Sequence, residues 1–307
     1  MTTFMERNDV IWGEDLYASP SRRAIPPFAE TQSDYEIFSG LATRLGVLEP
    51  FAEYRDEMQW LEEIYAESRG NALEVGVELP PFDQFWNGDG IAAKGEPRAF
   101  PIERFRRDPV RYPLGTPSGK IEFISDAIAS FGYPDAPGHP TWLDKNEVLG
   151  SARSVRFPLH LISPQPKNKL HSQFDFGRHS RKDKIHEREA IRINPVDAAR
   201  RHLRDGHVVS VFNDRGACLV GVVITDQIMP GVVQLPTGAW FDPDDGEGSA
   251  GLERHGNPNV LTRDQGSSSL AQGPTAHSCL VEIESYDGPL PDMKAFTSPE
   301  ILAGVDP

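Results

Sequence analysis

The sequence predicts an α+β chain. Residues 151–307 read as a closed or nearly closed β-barrel, and residues 1–150 as a mainly helical segment in front of it. Three observations carry this reading. After residue 150, short runs of Val, Ile and Leu recur between Gly, Pro, Asn and Asp turns, which is the pattern of strands at regular spacing. One short helix signal, Asn194-Pro195, interrupts them. Helical periodicity with written-in ends is confined to residues 31–69.

In the first half, residues 31–46 predict a helix. Ser33 and Glu36 have the spacing of a capping box, Tyr35, Phe38, Leu41, Ala42 and Leu45 form an apolar face, and Gly46 supplies the left-handed stop. A second helix is expected over 52–69, with Met58, Leu61, Ile64 and Tyr65 inside and Gly70 ending it. Residues 79–86, LPPFDQFW, suit packing better than a pocket. A turn at Pro117-Ser118-Gly119 precedes an expected short strand at 121–124, and 135–142 reads as a surface connection. The irregular stretches between these elements are too long for a self-contained domain. The first half is therefore expected to pack on something larger.

In the second half, strands are expected at 157–162, 208–212, 218–225, 232–235 and 279–283, with a helix at 196–204. The first of these strands stops at Ser163-Pro164, because proline cannot continue a central ladder. Beyond it lies a loop dense in hydrogen-bonding groups: Ser163, Gln165, Lys169, His171, Ser172 and Gln173. Three further polar segments, 238–243, 255–262 and 266–277, fall between strands. They combine small residues with side chains that donate and accept, among them Asn257, Asn259, Ser269 and Gln272. Together with 163–173 they favour a nucleotide-like ligand.

Composition narrows the field. A formal charge of −15 argues against a nucleic-acid partner and against an anionic membrane surface. Cys218 and Cys279 lack metal-ligand spacing and fit structural thiols in a reduced compartment. No apolar run has the length of a membrane span, and no export signal is visible at Met1. The expected location is cytoplasmic or periplasmic, with the cytoplasm favoured. The nine histidines form no HExxH, and there is no GxSxG elbow, no Walker A loop and no GxGxxG opening a helix. The basic run RHSRKDKIHER at 178–188 suits a phosphate or, more simply, a solvated face.

Several motifs stand in fixed order: LISPQPKNKLHSQ, INPVDAARRHLRDGHVVSVFNDRG, PGVVQLPTGAW, NPNVLT and SSLAQG. They closely resemble the C-terminal molybdopterin-dinucleotide-binding domain of the dimethyl sulfoxide reductase family. The nearest branch is that of the trimethylamine N-oxide and biotin sulfoxide reductases. ERND, SDYEIFSGLATRLG, ELPPFDQFW and TPSGKIEFIS resemble the segment just before that domain, so the resemblance covers nearly the whole chain.

It implies a double-psi β-barrel that grips a molybdenum cofactor of two molybdopterin guanine dinucleotides, Mo-bis(molybdopterin guanine dinucleotide). By motif position, Ser163, Gln165, Leu170, His171, Ser172 and Gln173 would contact pterin or pyrophosphate, and Lys169 would face a pyrophosphate. Asn259, Gln272 and Gly273 would contact the other pterin region. Gln165 stands where relatives often carry histidine, and Lys169 where arginine is usual, which forgoes bidentate geometry. The family's metal ligand belongs to an N-terminal portion that this chain is expected to lack, so no residue here is assigned to the metal. That portion is the expected protein partner. The alternatives are a non-catalytic cofactor-binding module or a decayed gene fragment and, more remotely, an unrelated double-psi barrel enzyme.

Overall fold

The computed structural model describes residues 1–12, 17–74, 76–92, 102–145, 147–244 and 251–298. It falls into two compact units, Met1–Ile121 and Glu122–Pro307. The sequence reading places the boundary at 150 instead. Residues beyond 298 in the expected barrel domain lie outside the described residues.

The first unit holds a small antiparallel sheet of β1 (Asp9–Trp12), β2 (Tyr17–Ser21) and β3 (Ile91–Ala92). Helix α1 (Asp34–Leu45) has both halves of the Ser33–Glu36 capping box, and Gly46 ends it at φ 71°. The expected helix at 52–69 begins later, as α3 (Glu57–Glu74), and a separate short helix that was not expected, α2 (Leu48–Ala52), precedes it. Glu53 and Tyr54 adopt positive φ and break the chain between them, while Gly70 is carried inside α3. Helix α4 (Phe82–Asn87) brings Phe85 onto Tyr65, ring centroids 4.5 Å apart, and Ala18 completes a small core. Residues 79–86 therefore serve packing. The expected apolar face of α1 is left largely exposed, with only Ala42 buried. Three short helices follow in the chain: α5 (Glu103–Arg107) in this unit, and α6 (Asp126–Ala129) and α7 (Pro195–Arg200) in the second.

The expected strand at 121–124 does not form. Its alternation is real, but no neighbouring strand pairs with it, and Phe123 and Ile124 are exposed. From here the chain belongs to the second unit, and Glu147 shows why residues ahead of 150 cluster with the barrel. Its carboxylate is 4% exposed, takes both guanidinium nitrogens of Arg215 at 2.7 and 3.0 Å, and accepts from the Leu280 amide at 2.9 Å.

The second unit is a closed six-stranded barrel of the double-psi class. Its strands are β4 (Leu159–Ile162), β5 (Ala190–Ile193), β6 (Val208–Phe212), β7 (Ala217–Ile224), β8 (Val232–Gln234) and, after a two-residue β9 (Leu252–Glu253), β10 (Cys279–Ser285). The order around the wall is β5-β8-β4-β10-β6-β7, and the β5–β7 pairing closes it. Pairs β4–β8, β5–β7 and β7–β9 are parallel, and the others antiparallel. Inward residues such as Leu161, Ile191, Val211, Val220, Val233 and Val281 are fully buried. Cys218 and Cys279 lie in this core as free thiols. Burial pushes the Cys279 thiol up to about 11 and Cys218 well above its ordinary value.

Strand β5 was not expected. Four residues, AIRI, are too few to register as alternation, yet they close the barrel. Among the described residues, no helix is long and apolar enough to cross a membrane.

Candidate functional site

Strands β4 and β8 are parallel neighbours, so the chain leaves both at the same end of the barrel. The two exits continue side by side beyond the sheet. The Leu235 amide donates to the Ile162 carbonyl and the Thr237 amide to the Pro164 carbonyl, each at 3.0 Å. Loops 163–173 and 235–241 therefore emerge as a pair of walls. A third wall comes from 255–259. There Asn257 donates its side-chain amide to the Ala239 carbonyl at 2.9 Å and accepts from the Asn259 amide at 3.0 Å. Between them lies a cavity of about 390 Å³, lined by His171, Ser172, Thr237, Gly238, Asn257 and Asn259, with Trp240 and Phe241 at its side.

The contact between the first two walls is very close. Gly238 has φ 94°, and a Cβ placed there would lie 1.9 Å from the His171 carbonyl oxygen. Only glycine permits both the backbone angle and the approach. His171 itself is held at φ 51°, a left-handed conformation that an L-residue keeps only when its surroundings impose it. The Trp240 indole N–H donates to the Ser172 carbonyl at 2.7 Å. Gln165 lies on the outer side, its amide nitrogen 3.1 Å from His171 Nδ1.

Behind this cavity sits a buried charge cluster. Lys169 Nζ contacts Asp175 Oδ1 and Glu189 Oε2 at 2.6 Å each, and Lys184 Nζ contacts the same two atoms at 3.0 Å. The two ammonium side chains are each 2% exposed. Burial opposes the charge of Lys169, but Glu189 and Asp175 outweigh it and raise the ammonium's pKa. Burial likewise works to raise the Asp175 carboxyl, and the two lysines and the Trp240 amide hold it below its usual value. His255 is fully buried beside them. Its Nδ1 bonds the Trp240 carbonyl at 2.8 Å, its Nε2 lies 3.7 Å from Asp175, and burial and then Lys184 lower its pKa to about 4. Glu253 anchors the third wall by accepting four amides, from Asp242, His255, Gly256 and Asn257. Burial nonetheless raises its pKa.

The structure sorts the sequence-predicted residues into groups. His171, Ser172 and Asn259 line one cavity, and Gln165 touches His171. Ser163 leans the other way, its amide 3.4 Å from His277 Nδ1. Leu170 and Gln173 are exposed at the two ends of the turn that carries His171 and Ser172, the Gln173 amide donating to the Leu170 carbonyl at 2.9 Å. Gln272 and Gly273 lie on the exposed loop 266–274, which borders a separate polar hollow of about 410 Å³ that includes Asp135, Lys145, Arg263 and Ser269. Asn259 thus keeps company with His171 rather than with Gln272.

Lys169 requires a correction. The expected phosphate-facing cation turns inward instead, its Nζ 2.6 Å from both Asp175 and Glu189 and its side chain 2% exposed. The basic run 178–188 is also more than a solvated face, since Lys184 and Arg188 are buried. Thr237 and Asp175 were not singled out from sequence. A hydroxyl and a carboxylate in loops carry no local mark of the partner they meet across the fold. Among the described residues, no group of three or more His, Cys, Asp or Glu side chains could hold a metal ion.

Comparison with known proteins gives three findings. Residues 159–280 match the family described as "Molydopterin dinucleotide binding domain". The chain is 40% identical to trimethylamine-N-oxide reductase of Haemophilus influenzae, over 98% of this chain and 38% of that protein. It is 44% identical to trimethylamine-N-oxide reductase 1 of Escherichia coli K12, over 94% of this chain and 35% of that one. The chain thus spans just over a third of the length of these curated relatives. Among solved structures, acetylene hydratase from Pelobacter acetylenicus superposes with a TM-score of 0.68 at 17% identity, over 93% of this chain and 37% of that one, a likeness of fold.

Proposed function

Because residues 159–280 belong to the molydopterin dinucleotide binding domain family, in a chain related along nearly its whole length to trimethylamine-N-oxide reductases, we propose that this chain grips Mo-bis(molybdopterin guanine dinucleotide) for an N-oxide or S-oxide reductase of the trimethylamine N-oxide or biotin sulfoxide type. The carrying observation is the cavity at the shared end of β4 and β8, with His171, Ser172, Thr237, Asn257 and Asn259 around it. Its donors and acceptors suit the amide-like edges of a pterin. Gly238 lets its two walls meet, because the His171 carbonyl occupies the place of a Cβ there. No lysine or arginine is among the residues lining it, so a pyrophosphate there would meet hydroxyls, amides and His171 rather than Lys169. Gln165, which touches His171, and Leu170 and Gln173, which flank His171 and Ser172 in the chain, would add to this grip; Ser163 would meet the cofactor from the side of His277, and Gln272 with Gly273 would meet the second dinucleotide from the 266–274 loop.

The cofactor would supply the oxygen-atom transfer chemistry; this chain's residues hold and orient it. The rest of the reductase machinery, metal ligand included, would come from the part of such enzymes that this chain does not match. In the second reading the chain is a binding module without turnover of its own.

The test is direct. The chain is purified from a molybdenum-supplied bacterial host, and released pterin fluorescence, guanosine monophosphate and molybdenum are measured. All three are expected, with His171→Ala lowering them while thermal unfolding stays unchanged. Folded, soluble protein free of pterin would overturn the proposal. An assay of trimethylamine N-oxide reduction by the loaded chain, supplied with the N-terminal portion of such a reductase, separates the reductase reading from the module; turnover is expected only in the first.

A further inference from the structure

The two carboxylates of the buried cluster look equivalent, but their oxygens are used differently. Glu189 holds both ammonium groups on one oxygen, Oε2. Asp175 holds the same two groups on Oδ1 and accepts the Trp240 amide on Oδ2 at 3.0 Å. Trp240 in turn donates its indole N–H to the Ser172 carbonyl at 2.7 Å. Asp175 therefore joins the buried ends of both cavity walls: the 163–173 loop through Lys169, and the 235–241 loop through the Trp240 backbone. Asp175 is fully buried, so both bonds are shielded from competing water.

We propose that Asp175 is a positioning residue that sets the spacing of these two walls and thereby how tightly the dinucleotide is held, an inference that rests on the cofactor reading above.

The geometry supplies its own control. Asparagine at 175 has one acceptor oxygen, so it cannot serve the ammonium groups and the Trp240 amide together. Glutamine at 189 keeps the one oxygen that both ammonium groups use. Asp175→Asn and Glu189→Gln thus remove the same charge from the same cluster, but only the first breaks the bridge. By charge alone, either variant leaves the cluster more positive and would favour an anionic pyrophosphate. A positioning role predicts the opposite for Asp175→Asn.

Two readouts decide it. In the unloaded chain, amide hydrogen exchange over 237–241 is expected to quicken at least about tenfold in Asp175→Asn, as loss of a charge-assisted hydrogen bond implies, with the β6 and β7 strands unchanged and Glu189→Gln like wild type. In the loaded chain, pterin is expected to dissociate faster from Asp175→Asn by a similar factor, and not from Glu189→Gln. Equal effects of the two variants, or unchanged exchange in Asp175→Asn, overturn the inference. If Asp175→Asn does not fold, Lys169→Met, which cuts the same bridge at the 163–173 loop, must loosen the same segment; wild-type protection in that variant also overturns it. If wild-type protein carries no pterin, the cofactor reading fails, while the exchange measurement still tests whether Asp175 positions the walls.

Discussion

A single carbonyl makes residue 238 a glycine. The His171 oxygen lies where any Cβ would go, and φ at 238 is left-handed as well. Gly238→Ala must therefore part the two cavity walls or strain the backbone, at about 1–3 kcal/mol or more. The expected outcome is a lower melting temperature together with reduced pterin content; a variant that melts and loads like wild type would refute the close approach. The sequence marks this residue only as one small residue in a polar segment, because the atom that forbids a side chain lies 67 positions earlier in the chain. His171 and Ser172 were legible through their motif. Lys169 was legible as a cation but not as a buried one, since Asp175 and Glu189 become its partners only when the loop folds back.

Elements were legible where their signals are local. Helix α7 opens as its residues dictate. Asn194 accepts the Val196 amide at 2.9 Å, Pro195 takes the first helical position, and the Asn194 amide also donates to the Ile228 carbonyl at 2.6 Å. Asn194→Ala removes the cap and leaves the carbonyl of half-buried Ile228 without that donor, a loss of about 1–2 kcal/mol that urea unfolding would register. Strands β6, β7, β8 and β10 followed their alternation and turns to within a few residues. Strand β5 did not, because its burial comes from neighbours β7 and β8 rather than from a pattern of its own. The reverse failure at 121–124 has the same root: alternation makes a strand only where a partner completes the ladder. The split between α2 and α3 turns on two left-handed residues, Glu53 and Tyr54, that no turn signal announces.

At the scale of the whole molecule, closure of the barrel ties stability to pH through groups it buries. His255 is neutral when folded, with a pKa of about 4 against an ordinary 6.5. Between those values the unfolded chain binds more protons than the folded one, so stability falls as pH drops from 6.5 towards 4, by roughly 3 kcal/mol from this residue. Asp175 and Glu147 continue the trend. Their folded pKa values lie below the ordinary 3.8 and 4.5, so the stability they contribute is present above those values and lost as pH falls through the folded ones. Denaturant unfolding at stepped pH should show this decline, and His255→Gln should flatten its upper part. An unchanged slope in that variant would mean that His255 titrates normally.

What the sequence determined by itself is the class of the fold, most of the barrel strands, the capped helices and the loop that the ligand is expected to meet. These rest on period, turn chemistry and short motifs, which act between residues close in the chain. The tertiary structure alone decided that β5 closes the barrel, that Gly238 lies against His171, and that Lys169 pairs with Asp175 and Glu189. Each of these depends on atoms brought together from distant positions, where burial removes water as a competitor and makes an inward ion pair the better partner for a lysine.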